Sequence, residues 1–433
     1  MTERRYDALV VGGGSAGMAA AVEIADQGYS VGVVEREDCL GGILNQCIHN
    51  GFGLHEHGED LTGPEYAERA VRRVRETAGV EVFLRTTINE SGDTREGLAV
   101  YGFSPEHGVI RFDTRALVLA MGCRERNRGN IGIPGSRPAG LFTAGLAQRL
   151  VNIDGYVPGR RAVIVGSGDI GLIMARRMTW VGAEVAAVVE IQPYPSGLAR
   201  NIAQCIDDFG IPLYLSHVVS RIAGKDRVEA VEVTPLKNGV PDPAGTFTIP
   251  CDTLLLSVGL IPDNELSKKL GVELSPETGG AVVDADLMSS RQGVFACGNV
   301  LHVHDLVDSV SAEARRCGGR VCAYLRGETG GEQGVVQAGA NVKYVLPGRF
   351  RPGEPSRPES RLRPGGGSRP EEGQVFSLRP LIVKNQARLE VRQGNSTMFS
   401  RKLLHVQPSE MVSVSLDLRE ARADGGPLEF HLR

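Results

Sequence analysis

The sequence predicts an α/β protein made of two three-layer, doubly wound units followed by a small β module. Three observations carry this prediction. A strand, a glycine-rich turn and a helix follow one another around residue 12, the same series returns around residue 166, and composition changes abruptly after Gly327. The 433 residues are enough for two or three domains with a large core. Glycine is abundant at 56 residues while aromatics are only 5%, which suits folds rich in tight strand–helix turns. The formal charge of −4 gives no electrostatic reason to expect nucleic acid or an anionic membrane as partner.

The first series begins with a β-rich run at residues 6–11, which ends in Gly12-Gly13-Gly14-Ser15-Ala16-Gly17. A helix of small residues is expected at 18–27 and a second strand at 30–35. Helical spacing returns at 64–77. Strands are expected at 81–84, 98–101 and 109–112, and an apolar strand at 116–120 ends in Met121-Gly122. The second series opens with a strand at 161–165, turns through Gly166-Ser167-Gly168-Asp169-Ile170-Gly171 and continues as a helix to about 181. A strand at 184–190 follows. Further buried strands are expected at 253–258, ending at Gly259, and at 293–297, ending at Gly298-Asn299. A helix then runs over 310–325. Residues 347–373 are dense in Pro, Gly, Arg, Ser and Glu and read as a linker, too poor in apolar side chains to offset ordering entropy. Alternation at 381–384, 388–391, 402–406 and 411–418 predicts a small antiparallel β module over 374–433, in which no chemistry is evident.

Each turn has the parts a dinucleotide site needs. Gly12 permits a tight exit from the strand, Gly14 lets the backbone approach a pyrophosphate, and Gly17 lets the helix pack on the strand. The helix start presents free N–H groups and the positive end of its dipole. Glu35 lies at the end of the second strand, where an acid binds ribose hydroxyls. Gly166, Gly168 and Gly171 repeat the three glycine positions, and Glu190 repeats the acid. An acid there repels a 2′-phosphate, so NAD is favoured, while Arg176, Arg177 and Arg200 keep NADP open. A lone glycine fingerprint is a weak signal. Two, each with strand, helix and acid in place, imply electrons passing between two dinucleotides, whose own chemistry does the work.

With Leu119-Ala120-Met121-Gly122 and Gly293-Val294-Phe295-Ala296-Cys297-Gly298-Asn299-Val300, these motifs resemble the pyridine nucleotide–disulfide oxidoreductase superfamily over about residues 6–326. The resemblance implies two Rossmann-like domains, an FAD domain in two parts (1–125 and 263–330) and an NAD(H) domain (126–262) inserted between them. It assigns FAD to Gly12, Gly14, Ser15, Ala16, Gly17, Glu35, Arg36, Gly42, Gly122, Gly298 and Asn299. It assigns NAD to Gly166, Gly168, Asp169, Ile170, Gly171, Glu190 and Gly259. Asn299 stands where the family usually has Asp, and an amide there still bonds a ribityl hydroxyl.

Disulfide reductases of that superfamily carry a cysteine pair beside the flavin. Here Cys47 resembles the end of such a motif, but Leu44 and Asn45 occupy the positions of a partner. Cys317 and Cys322 point about 140° apart on an expected helix. No redox disulfide is expected. Cys47 is a candidate lone thiol near the flavin and His49 a candidate proton carrier, each against a packing role. His302, His304 and Asp305 suggest a metal or loop packing; packing is the better reading, so no metal site is expected.

Residues 120–126, 46–53 and 302–308 also resemble a bacterial and archaeal group of flavoproteins that accompany a second FAD-dependent dehydrogenase and a small cysteine-containing protein. The implied activity is FAD-dependent, NAD(P)H-linked electron transfer to a substrate or a partner dehydrogenase. The alternative is a non-catalytic assembly or electron-transfer subunit of such a complex. The short polar N-terminus, scattered cysteines and lack of an apolar run near 18 residues lead us to expect a cytoplasmic protein without a membrane span. A homo-oligomer stays open.

Overall fold

Strand Thr2–Val11 is longer than its apolar stretch, because residues 2–5 pair in parallel with 110–113 while residues 8–11 pair with 116–119. This joins the two strands expected at 109–112 and 116–120 into one, Gly108–Leu119. The structure, a computed structural model, describes residues 1–94, 97–353 and 374–433. Two units divide the chain. One holds Met1–Asn45, Asn50–Cys123 and Pro262–Arg433; the other holds Gln46–His49 and Arg124–Ile261.

The first unit has a parallel sheet in the order Val80–Phe83, Val31–Val34, Thr2–Val11, Gly108–Leu119, with Val294–Ala296 added beside residues 117–119. An antiparallel pair, Thr87–Asp93 and Leu98–Ser104, extends the other half of Gly108–Leu119. The parallel strands read as continuous apolar runs because both faces are covered. Helix Ser15–Asp26 buries Ala16, Ala20, Ala21 and Ile24. Helix Val307–Leu325 comes close to it at Gly318, where a side chain would stand 2.9 Å from the Ala20 carbonyl oxygen. Helix Gly63–Glu76 starts with a capping box, in which Thr62 and Glu65 each accept the other's backbone N–H, and Pro64 sits in its first turn.

The second unit is built on an all-parallel sheet in the order Leu141–Thr143, Thr253–Leu256, Arg161–Val165, Glu184–Glu190, Leu213–Leu215. Alternate residues face opposite ways, as strand geometry requires. Ala162, Ile164, Val188 and Leu255 pack under helices Ala144–Asn152 and Asp169–Trp180. Val163, Ala187, Val189, Leu254 and Leu256 pack against the antiparallel strands His217–Ala223, Ala230–Lys237 and Phe247–Pro250. The third layer is therefore a sheet.

The C-terminal β module is a sandwich that begins earlier than its composition suggests. One sheet has the order Arg349–Phe350, Gly334–Ala338, Leu428–Leu432, Lys384–Gln393, Ser396–Val406; the other has Val342–Leu346, Gln374–Pro380, Val412–Leu416. Phe350, Phe376, Leu378, Leu389 and Phe430 fill the space between them. Gly334–Ala338 and Leu428–Leu432 run parallel, so the module is not wholly antiparallel. The expected linker over 347–373 starts within this sandwich, since Phe350 is fully buried. Its remainder, 354–373, lies outside the described residues.

Candidate functional site

The first glycine turn is fixed by contacts that no side chain would fit. Gly12 turns with φ +110°, and a Cβ on it would lie 2.4 Å from the Ala120 carbonyl oxygen. A Cβ on Gly17 would lie 1.7 Å from the carbonyl oxygen of Gly12. A Cβ on Gly14, by contrast, would meet nothing within 4 Å. Two of the glycines therefore serve the turn itself, and the third leaves open space where the helix begins at Ser15 and Ala16. Glu35, 6% exposed, accepts the Gly13 N–H on Oε2 (2.6 Å) and the Glu37 N–H on Oε1 (2.8 Å).

Further residues of the first unit converge on this turn. Gly41 donates its N–H to the Gly13 carbonyl (2.9 Å), and a Cβ on Gly42 would lie 3.2 Å from the Cα of Gly14. Gly298 faces Ala16, whose Cβ is 2.7 Å from where a Cβ of Gly298 would be. Asn299 accepts the His304 N–H on Oδ1 (3.0 Å), and its Nδ2 lies 3.6 Å from Cys123 Sγ, next to Gly122. Arg36 is exposed and lies 3.9 Å from Glu37.

The second turn repeats these contacts. Gly166 turns with φ +95° against the Ser257 carbonyl oxygen, 2.0 Å from where its Cβ would be. A Cβ on Gly171 would lie 2.5 Å from the Gly166 carbonyl oxygen, and one on Gly168 would again meet nothing within 4 Å. Glu190 is buried. Its Oε2 accepts Ser167 N–H (2.8 Å), Ser167 Oγ–H (2.6 Å) and Ser196 Oγ–H (3.3 Å), and its Oε1 accepts Gln192 N–H (2.9 Å). Asp169, in the first turn of the helix, accepts Leu198 N–H (2.8 Å) and Asn201 Nδ2–H (2.6 Å). Ile170 packs into the unit's core, and Gly259 accepts the Arg126 N–H (2.9 Å).

Cys47 and His49 do not join the first turn's unit; the segment Gln46–His49 belongs to the second. Gln46 donates to Gly145 O (2.8 Å), and Asn152 donates to Gln46 O (2.9 Å). Cys47 Sγ lies 3.6 Å from Gln148 Oε1, and burial alone pushes its thiol up to about 12. A thiol so protonated is a poor nucleophile. Burial first, then the charges of Arg176 and Arg200, bring His49 down to about 4, with Asp169 pulling the other way. The neighbours of His49 are therefore those of the second turn. Cys317 and Cys322 lie buried on one unbroken helix.

The histidine loop differs from its sequence grouping. Asp305 pairs with Arg379 instead, and Glu313 joins His302 and His304. Glu313 Oε2 faces His302 Nε2 at 2.8 Å, and its Oε1 faces His304 Nε2 at 3.1 Å and accepts the Gly298 N–H at 2.7 Å. Burial opposes the charge on Glu313, but the two imidazoles hold its carboxyl well below the usual range. Burial lowers His302 below the ordinary imidazole value, with Glu313 pulling the other way. The three residues present enough ligand atoms for a metal ion. Yet both Nε2 atoms are spent on Glu313, and both Nδ1 atoms are buried without a partner. Glu313 and Asp308, which accepts N–H groups of Gly53 (3.2 Å), His55 (3.1 Å) and Glu56 (2.8 Å), were not singled out from sequence. The available signal was an acid on the inner face of an otherwise apolar helix stripe of Val310, Ala314 and Cys317.

Residues 6–316 match the family model described as pyridine nucleotide-disulphide oxidoreductase. The chain is 27% identical to the hydrogen cyanide synthase subunit HcnB of Pseudomonas protegens, over 73% of this chain and 69% of that one. It is 26% identical to an opine oxidase subunit of Agrobacterium tumefaciens, over 73% of this chain, and spans only 64% of that protein's length. Thioredoxin reductase of T. acidophilum has a similar fold, with a TM-score of 0.60 at 21% identity, covering 74% of this chain and 99% of that one. No helix among the described residues is long and apolar enough to cross a membrane.

Proposed function

The chain belongs to the pyridine nucleotide-disulphide oxidoreductase family of FAD-dependent NAD(P)H oxidoreductases, and on that premise we propose which turn serves which cofactor and where the electrons go. The first turn, with Glu35, Gly42, Gly122, Gly298 and Asn299, holds FAD. The second, with Asp169, Glu190 and Gly259, holds NAD(H). Electrons pass to a substrate or a partner dehydrogenase without a thiol pair.

The observation that carries this reading is the shared construction of the two turns. In each, the first and third glycines are filled by neighbouring carbonyls and the middle one is open. That is the position where a pyrophosphate needs close backbone approach. The residues fit the dinucleotides in a second way. Each oxygen of Glu35 has one hydrogen bond in the protein, which leaves lone pairs for ribose hydroxyls. NAD is favoured over NADP because Glu190 ends the strand and Ile191 follows it. Arg177 is committed to Asn152 (2.7 Å), and Arg176 lies over Trp180 at 4.8 Å.

Bound FAD supplies a ring that accepts a hydride from a nicotinamide and hands electrons on. The protein's part is to place the phosphates at the two helix starts, to take the ribose hydroxyls on two carboxylates and to shape the ring's surroundings. Leu44 and Asn45 in place of a partner cysteine, and the burial that pushes the Cys47 thiol up to about 12, support electron exit directly from the flavin. A place in a multisubunit complex is supported by relatives whose names mark them as subunits; the partners we propose are a second flavin dehydrogenase and a small cysteine-containing protein.

The test is spectroscopic. Purified protein should show a flavin spectrum that NADH bleaches under anaerobic conditions. Gly168→Val should abolish bleaching and leave the flavin bound. A colourless protein, or a yellow one indifferent to NADH, would favour the assembly role. Loss of FAD in Gly168→Val would reverse the two assignments.

A further inference from the structure

The C-terminal sandwich reaches the loop that follows Gly298-Asn299. Arg379, on strand Gln374–Pro380, donates through Nη1 to Asp305 Oδ1 (2.9 Å) and Oδ2 (3.2 Å) and to the Ser409 carbonyl (2.8 Å). Through Nη2 it donates to the Val303 carbonyl (2.8 Å). The Met411 N–H, also from the sandwich, donates to Asp305 Oδ2 (2.6 Å). Tyr344 of the sandwich sets its ring edge-on to His302, with centroids 6.1 Å apart, and bonds Arg379. The Arg379 side chain is only 11% exposed and its bonds to the two carbonyls are partly buried, while the Asp305 carboxylate is 35% exposed.

From this loop the bonds continue inward. His302 and His304 hold Glu313, which accepts the N–H of Gly298, and the His304 N–H holds the side chain of Asn299. Every connection between Arg379 and the Gly298-Asn299 backbone is thus a hydrogen bond or one short stretch of chain. A second arginine of the sandwich, Arg351, pairs with the fully buried Asp286. The module is anchored by charge at two places, and one of them, Asp305, follows Asn299 closely in the same loop.

We propose that Arg379 is a positioning residue for the Gly298–Asp305 loop, so that the C-terminal sandwich sets how this loop meets the flavin. The inference rests on the assignment of Gly298 and Asn299 to FAD. Arginine suits the task because its planar fork serves the Asp305 carboxylate and two carbonyls at once, which a lysine ammonium cannot do in the same geometry.

The experiment compares Arg379→Ala, Arg379→Lys and Asp305→Asn with Leu389→Ala, a fully buried residue of the sandwich core. Three quantities are read in the full chain: FAD affinity of the deflavinated protein, flavin reduction potential and melting temperature. Arg379→Ala is expected to weaken FAD roughly tenfold and to move the potential, in line with losing bonds to a charged group. Arg379→Lys should recover part of both, and the isosteric Asp305→Asn should move both in the same direction as Arg379→Ala. Leu389→Ala should lower the melting temperature with FAD affinity unchanged. FAD affinity within twofold of wild type in both Arg379→Ala and Asp305→Asn overturns the proposal, as does an equal loss in Leu389→Ala. Wild-type FAD affinity in Gly14→Val would overturn the site assignment itself, and the proposal with it.

Discussion

The two glycine turns are alike in backbone and unlike in what secures the acid beside them. Glu35 accepts two backbone N–H groups, one on each oxygen. Glu190 accepts four donors, three of them on Oε2, two being serine hydroxyls. The first turn has Gly13 where the second has Ser167. The first carboxylate therefore keeps more capacity for a ribose, and the second spends part of its capacity holding its own loop. Asp169 adds to this by fastening residues 198 and 201 to the helix start, a tie for which the first turn has Ser15 in the same position. On the proposed assignment, one backbone plan serves a resident cofactor at the first turn and an exchangeable one at the second, with the side chains around each acid making the difference.

Substitutions at the third glycines should act most strongly. Gly17→Ala places a methyl 1.7 Å from a carbonyl oxygen and Gly171→Ala places one 2.5 Å from its counterpart. Each should cost several kcal/mol, the first more, with overpacking strain that helix and strand cannot share out. Melting curves test this, and a Gly17→Ala protein as stable as wild type would show that the turn yields. The middle glycines should behave in the opposite way. The Cβ atoms of Gly14→Val and Gly168→Val meet no atom within 4 Å, so both chains should melt normally. Each should lose its own ligand on the order of 1,000-fold, about 4 kcal/mol, as measured by FAD and NADH titration. Loss of both ligands in either variant would break the one-turn, one-ligand correspondence.

Much of this was legible because the signals are local. A turn, a helix start and a strand-end acid sit within about 25 residues, so glycine spacing alone locates Gly12, Gly14, Gly17 and Glu35, and then their counterparts. The surroundings of Cys47 and His49 were not legible in the same way. They follow Gly42 closely in sequence, yet bonds from Gly145, Gln148 and Asn152 fix their segment in the second unit. Asp308 and Arg379 act through partners tens or hundreds of residues away, and no short window of sequence contains such pairs; Glu313 meets His302, His304 and Gly298 only because the chain turns back between the loop and the helix. Strand Gln374–Pro380 went unseen because it borders a Pro- and Gly-rich tract and supplies only one side of a sandwich.

The placement of His49 gives a pH contrast. Its ordinary value of 6.5 falls to about 4 in the folded protein. The unfolded chain therefore takes up the proton first. Stability is full above about pH 6.5 and declines as pH falls towards 4, by up to about 3 kcal/mol at roughly 1.4 kcal/mol per unit. Denaturant midpoints at pH 7 and pH 5, read from the single tryptophan at Trp180, report on the second unit. His49→Gln should flatten the difference, and an unchanged pH dependence would contradict this account. The smallest effect is expected for Ser167→Gly, which makes the second turn read like the first. It should cost about 1–2 kcal/mol, because the Ser167 hydroxyl donates to Glu190 and accepts the Ser196 N–H and both bonds are lost. The KM for NADH should fall or hold rather than rise, because Glu190 regains an acceptor site.

The strand Val294–Ala296 completes the first sheet from the far side of an insertion, and this has a consequence for biogenesis. During synthesis the chain emerges from its N-terminus. All of residues 124–261 is made before the fifth parallel strand and the helix that bears Glu313. A nascent chain halted near residue 280 thus holds a finished second sheet and an unfinished first one. The ribosome delivers the second turn complete while the first still lacks its neighbours at Gly298 and Asn299, so on the proposed assignment flavin capture is a late event in the life of the chain.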